Sequence, residues 1–281
     1  MHALANVNGE TMPLAEARVP VLDRGFLFGD AVYEVLRVYR GRPWLLDAHF
    51  ARLGRGLEAL RIQGVNLSRL KERMLATIAA GKFQEAVAYV HITRGAAPRK
   101  HAFPLNAVPF ELLYVQEFND PYTELRRTGA TVITRPDIRW DRCDIKSTNL
   151  LGNVLAMQAA TEAGAVEALL YLPDGTLTEG AHTSFFAVHD GVLLTRPNSS
   201  AILPGTTRDL VLRLAAEVGL PAREQALNRA ELPLVSDLFL TGTTSEVLPI
   251  IRVDEQTIAD GRPGSATRKL QEAFVRAVGA G

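Results

Sequence analysis

Hydrophobic and polar positions follow two periods along this chain. Val32 to Tyr39 alternates in strand fashion, and Arg40-Gly41-Arg42 turns it into Pro43-Trp44-Leu45-Leu46. Asp47 is then placed to cap a helix with Phe50, Leu53, Leu57 and Leu60 on one face. A second helix is predicted over Ser68–Ala80, followed by strands at Ala86–Thr93 and Phe110–Phe118; upstream, Asn8-Gly9 reads as a tight hairpin turn. The polar, proline-broken stretch Asn119-Asp120-Pro121-Tyr122 reads as a linker. Beyond it come a strand at Thr131–Thr134 and a helix at Asn149–Ala163 with Leu151, Val154, Leu155 and Ala159 facing inward. Strands at Glu167–Leu172, Ser184–His189 and Val192–Thr195 follow, punctuated by Asp174-Gly175 and Asp190-Gly191. A helix over Thr207–Val218 ends at Gly219, then come a strand at Asp237–Thr241 and a helix at Ala266–Val278. Strands and helices mix without steady βαβ alternation, which predicts an α+β chain of two domains: 1–118, a linker over 119–124, and 125–281.

Composition narrows the partners. The chain has 281 residues, 47% hydrophobic and 22% charged, enough for a sizeable core. Its formal net charge of zero argues against nucleic-acid binding. No apolar run is long enough to span a bilayer, and Met1 to Asn6 shows no basic-then-apolar secretory pattern. The single Cys143 rules out an internal disulfide. Together these predict a cytoplasmic protein with no membrane or nucleic-acid partner.

Lys146 carries the first chemical signal. The chain holds five lysines among 31 basic residues, and this one precedes an apolar, helix-like stretch. A desolvated lysine amine loses its proton and can form a Schiff base, which a guanidinium cannot; a surface lysine at a helix start is the other reading. Gly205-Thr206-Thr207-Arg208-Asp209 opens a helix and suits either a phosphate or a plain threonine cap. Thr241-Gly242-Thr243-Thr244-Ser245-Glu246 follows a strand and reads either as a hydroxyl-rich ligand loop or as a capping box. Thr178-Glu179-Gly180 ends a turn before a strand; under a pyridine ring such an acid holds the ring nitrogen protonated, and otherwise it is solvated. In the basic loop from Thr93 to His101, an extended backbone projects Arg99 and His101 to the same side, a good carboxylate receptor or a solvated loop. The histidines show no paired metal-ligand spacing, so no metal is expected, and no Gly-x-Ser-x-Gly elbow occurs.

In this order the pieces resemble the fold-type IV pyridoxal-phosphate enzymes, and among them the D-amino-acid aminotransferases. The resemblance runs from Asp23-Arg24-Gly25-Phe26-Leu27-Phe28-Gly29-Asp30-Ala31-Val32-Tyr33-Glu34-Val35 through Cys143-Asp144-Ile145-Lys146-Ser147 and Thr178-Glu179-Gly180 to Thr243-Thr244-Ser245-Glu246. It implies pyridoxal 5'-phosphate held as a Schiff base by Lys146, which then shuttles the substrate proton. It further implies Glu179 on the ring nitrogen, Arg52, Thr206, Thr207 and Thr243 on the phosphate, Leu203 on the ring face and Arg139 near the ring hydroxyl. Tyr33, Arg99 and His101 match the family's trap for the substrate carboxylate, with Thr244 also on the substrate side. The loop would reach across from the second subunit of a homodimer, so that active sites are shared. The implied reaction is ping-pong transamination between a D-amino acid and a 2-oxo acid. The rivals are an L-branched-chain aminotransferase and an aminodeoxychorismate lyase. One departure stands out: Ala181-His182-Thr183-Ser184 replaces the family's serine run.

Overall fold

The computed structural model describes residues 3–280; Met1, His2 and Gly281, which include the outer ends of the two expected domains, lie outside the described residues. The chain falls into two units: Met1–Asn119 with Ile145–Asn149, and Asp120–Asp144 with Leu150–Gly281. The boundary after Asn119 lies within the predicted linker. The short segment around Lys146, expected with the C-terminal domain, groups instead with the first unit. Its anchor is Ile145, buried in that unit's core.

The first unit comprises β1 (Leu4–Val7), β2 (Glu10–Pro13), α1 (Arg24–Phe28), β3 (Ala31–Tyr39), β4 (Arg42–Pro43), α2 (Leu46–Ala59), α3 (Leu67–Gly81), β5 (Ala86–Thr93) and β6 (Phe110–Glu117). Its six strands form one sheet in the order β2-β1-β6-β5-β3-β4. Alternation sorts the two faces. Val32, Leu36 and Val38 of β3, with Ala88, Val90 and Ile92 of β5, enter one core with Leu53 and Leu57 of α2 and Leu70 and Met74 of α3. The opposite register carries Tyr33, Tyr89 and Tyr114, stacked with ring centroids 5.7 and 4.8 Å apart. Asp47 does not cap α2: Leu45 takes the cap position in a left-handed conformation. Asp47 lies one residue inside the first turn and pairs with Lys71. For α3, the cap is the Asn66 side chain, which accepts from Arg69 N–H.

The second unit comprises α4 (Thr123–Thr128), β7 (Ala130–Pro136), α5 (Leu151–Glu162), β8 (Ala168–Tyr171), β9 (Leu177–Gly180), β10 (Ser184–His189), β11 (Val192–Thr195), α6 (Thr206–Glu217), β12 (Ala222–Glu224), β13 (Asp237–Gly242), β14 (Glu246–Val253), β15 (Gln256–Thr257) and α7 (Ser265–Ala280). The strand order is β12-β11-β10-β13-β14-β7-β8-β9, with β15 on β14. Parallel pairs β14–β7 and β7–β8 sit beside antiparallel ones. The expected inward face of α5 is overturned at three of its four residues: Leu151, Val154 and Leu155 are 79%, 57% and 60% exposed, Ala159 packs against the core as expected, and the helix buries Ala156 and Ala160. Small side chains let that face approach β7 and β8 closely, while apolar residues all round α5 hide the burial face from the sequence pattern. Among the described residues, no helix is long and apolar enough to cross a membrane.

Candidate active site

In the first unit the chain around Lys146 is tied to β3. Tyr33 N–H donates to the Lys146 carbonyl at 3.0 Å, and Ser147 forms a bridge with Val32. This sets the Lys146 ammonium 4.3 Å from the Tyr33 ring centroid. Two expected site residues, Lys146 and Tyr33, are thus brought together. Arg52 of α2 is also buried, and its fork grips Glu34 with two hydrogen bonds of 2.7 Å. His49 Nδ1 meets the same carboxylate at 2.7 Å. Burial pushes the Glu34 carboxyl up, but Arg52 and His49 outweigh it and hold it down at about 2. Burial dominates at His49 and lowers its pKa. Glu34 was not among the expected site residues; its signal in the sequence is a charge in the inward register between Val32 and Leu36.

Arg99 and His101 gather on one ring: the Arg99 guanidinium lies 5.4 Å and the His101 imidazole 5.4 Å from the Phe28 centroid. The route differs from the expected extended run, because the chain bends at Pro98–Arg99 and at His101–Ala102.

In the second unit Glu179 lies on β9, not in the turn before a strand as the sequence suggested. Both carboxylate oxygens accept from Leu203 N–H at 3.1 Å, and Arg139 Nη1 donates to one of them. Arg139 is shared: its fork also pairs with Asp137 at 2.8 and 3.0 Å, and Nη2 donates to Ala201 O at 3.1 Å. Asp137 accepts from Thr178 Oγ1 at 2.7 Å, which locks the cluster to β9. Burial raises the Glu179 pKa to about 7 against the pull of Arg139.

Two residues beyond Leu203, Gly205 opens α6 with no side-chain cap hydrogen bond, so the helix start is built from backbone and the two threonines Thr206 and Thr207. A Cβ on Gly205 would stand 2.8 Å from Ser184 Oγ, so the residue must be this small. Ser184 pairs with Thr241 across β10 and β13, bringing the helix start and the Thr243–Thr244 loop to one neighbourhood. That loop is a three-residue hairpin turn from β13 to β14, with Glu246 left-handed at φ 59°; it is not a helix cap. Beside and within it, Thr241 Oγ1 and Ser245 Oγ are buried hydroxyls with no hydrogen-bond partner among the described residues. Orphaned hydroxyls beside an uncapped helix start are the donor set a phosphate requires. The unforeseen Glu167 holds the departing segment: it accepts from Ala181 N–H at 3.1 Å, His182 N–H at 3.2 Å and Thr183 Oγ1 at 2.8 Å, and pairs with His182 Nδ1 at 2.8 Å.

The class IV aminotransferase model matches residues 31–253, and the chain belongs to that family of pyridoxal-phosphate-dependent enzymes. It is 39% identical over 275 residues to a D-alanine aminotransferase of Bacillus licheniformis, covering 96% of this chain and 95% of the relative. A D-alanine aminotransferase of Staphylococcus aureus (strain MSSA476) is 36% identical over 270 residues, at 95% of each. Among solved structures, the branched-chain amino acid aminotransferase of Escherichia coli superposes with a TM-score of 0.92 at 27% identity, covering 97% of this chain and 93% of that one. A branched-chain amino acid aminotransferase from T.th., crystallised with pyridoxamine 5'-phosphate, gives 0.92 at 27% identity over 99% and 94%. The fold is that of the fold-type IV transaminases, and the α+β expectation holds.

Proposed function

We propose that this chain transfers an amino group between a D-amino acid, of the D-alanine and D-glutamate type, and a 2-oxo acid such as 2-oxoglutarate or pyruvate. The cofactor in this reading is pyridoxal 5'-phosphate. The observation that carries it is Lys146 Nζ 4.3 Å from the Tyr33 ring centroid, a lysine able to form a Schiff base beside a phenol suited to a carboxylate. Bound here, the cofactor supplies a carbonyl that condenses with amines and a ring that accepts an electron pair.

Lys146 Nζ would hold the cofactor and would serve as the base for the proton on the substrate Cα. Glu179, kept in place by Leu203 N–H and Arg139, would pair with the ring nitrogen. The Thr206–Thr207 helix start and the Thr243 loop take the phosphate, with Arg52 oriented by Glu34. Leu203 would pack on the ring and Arg139 would lie near its hydroxyl. Tyr33, Arg99, His101 and Thr244 bind the substrate. We assign Arg99 and His101 to the partner subunit's site in a homodimer. Phe26, Phe103, Leu105 and Val108 of the same unit are exposed large hydrophobics, a surface suited to a second copy. A single cysteine and free amino-acid substrates suit the cytoplasm.

Borohydride reduction of the holoenzyme, digestion and peptide mapping test the lysine: label on Lys146 is expected, and label on Lys71, Lys82, Lys100 or Lys269 rejects it. Paired D- and L-amino acids test the hand. A preference for L-leucine-type substrates would favour the branched-chain reading that the structural neighbours' names suggest.

A further inference from the structure

Residues 99–102 belong to no strand or helix, so no ladder fixes the arginine and histidine they carry. What fixes them is a buried guanidinium. Arg24 of α1 is 3% exposed. Its Nη1 donates to Lys100 O at 2.6 Å and Ala102 O at 3.4 Å, and its Nη2 to His101 O at 3.2 Å. Three successive carbonyls turn toward one cation, which forces the loop into an arch around it. Arg24 is itself held: Nε donates to Asp30 at 2.8 Å, and Asp30 also takes both arms of Arg94, at 2.8 and 2.9 Å. Arg94 in turn donates to Leu60 O and Arg61 O at the end of α2, at 2.7 and 3.0 Å, and stacks 3.6 Å from the Phe103 ring centroid. The arch is therefore bolted to the helical layer at one end and to Phe28 at the other. The Phe28 ring lies 4.8 Å from Arg24 Cζ and also meets Arg99 and His101.

We propose that Arg24, with Phe28, is a mount that positions Arg99 and His101 for the substrate carboxylate. This rests on the carboxylate role proposed above for those two residues. Neither Arg24 nor Phe28 touches the reacting atoms in this reading; both act through the loop. The guanidinium geometry matters, because one planar fork serves an acid and three carbonyls at once, which a lysine ammonium cannot do.

The test uses holoenzyme of Arg24→Lys, Phe28→Leu and Arg99→Ala with two substrates of the same hand, D-alanine and (R)-2-aminobutane, the second lacking a carboxylate. Arg24→Lys and Phe28→Leu should each raise KM for D-alanine about tenfold or more with kcat within about twofold, the signature of lost substrate binding. The amine's kcat/KM should stay within about twofold, which a general loss of structure would not allow. If Arg99→Ala raises KM for D-alanine but the other two do not, the mount is wrong while the carboxylate reading stands. If Arg99→Ala leaves KM unchanged, both fall. Equal losses with both substrates also overturn the mount. Should Arg24→Lys fail to fold, Phe28→Leu decides by the same comparison.

Discussion

Glu179→Gln turns the environment of one carboxylate into a stability measurement that needs no cofactor. Burial lifts this group from 4.5 to about 7, because Arg139 and Leu203 N–H offset only part of the desolvation. An acid whose folded pKa lies above its unfolded value stabilises the fold while protonated. That contribution is complete below 4.5 and is lost as pH rises through about 7. At about 1.4 kcal/mol per pKa unit, the interval is on the order of 3 kcal/mol. Glutamine keeps the shape of the protonated carboxyl and cannot ionise. Apo wild type and variant should therefore match within ~1 kcal/mol near pH 5, and the variant should be the more stable by up to ~3 kcal/mol near pH 8. For a chain of this size that is roughly 6–12 °C in Tm. Calorimetry on cofactor-free protein across this range measures it. A gap between the two proteins that does not change with pH would refute the burial argument. Loading wild type with pyridoxal phosphate supplies a second check, since a cationic nitrogen facing Glu179 should flatten its slope.

Glu34→Gln removes the partner of buried Arg52 and should destabilise by ~3–5 kcal/mol near neutral pH, read by urea melts. Its folded pKa of about 2 lies below the ordinary 4.5, so the wild-type advantage should persist above 4.5 and vanish as pH falls through about 2. Lys146→Ala should fold, since Lys146 is only partly buried, yet lose essentially all transamination in a coupled pyruvate assay. Mixing Lys146→Ala with Arg99→Ala subunits should restore activity in the hybrid, where one of the two sites has both residues intact; exchange without rescue, shown by mass spectrometry of the mixed dimer, would reject the shared loop.

Much of the sheet framework was legible. Strands over Ala86–Thr93, Ser184–His189 and Val192–Thr195 match their expected bounds, since alternation and Asp-Gly or Arg-Gly turns punctuate them. What hid was governed by local capping or by buried polar groups. The five-residue α1 is made by the Asp23 side chain accepting from Gly25 N–H, not by periodicity. β14 contains Pro249, a residue that speaks against a central strand, yet it pairs with Phe239 in register. β9 buries Thr178 and Glu179 within four residues, so its pattern reads as a turn. The proposed site residues were named by type, context and family resemblance, whereas the groups that touch them in the fold (Glu34, Asp137, Glu167, Arg24) looked like ordinary charges. Their roles depend on contacts such as Arg24 to Lys100 that span long sequence separations.

The two buried glutamates show why those orienting groups decide the chemistry. Glu34 and Glu179 are both on strands and both almost wholly buried, yet one sits at about 2 and the other at about 7. Glu34 has Arg52 bidentate and His49 beside it, so its charge is fully answered. It serves as a fixed anion whose work is to aim an arginine. Glu179 has Arg139, but that guanidinium already commits its fork to Asp137. One cation divided between two carboxylates leaves a net negative charge in a desolvated place. Such a site is short of one positive charge, and a protonated ring nitrogen is the group that would supply it. Asp137 is the deciding residue: if it is neutralised as Asp137→Asn, Arg139 should serve Glu179 alone, the Glu179 pKa should fall, and the preference for a cationic ring should weaken. Cofactor affinity measured by equilibrium dialysis should then drop by about tenfold or more, equivalent to ~1.4 kcal/mol. Unchanged affinity would show that Asp137 only orients Arg139 and that the charge balance of the site is set elsewhere.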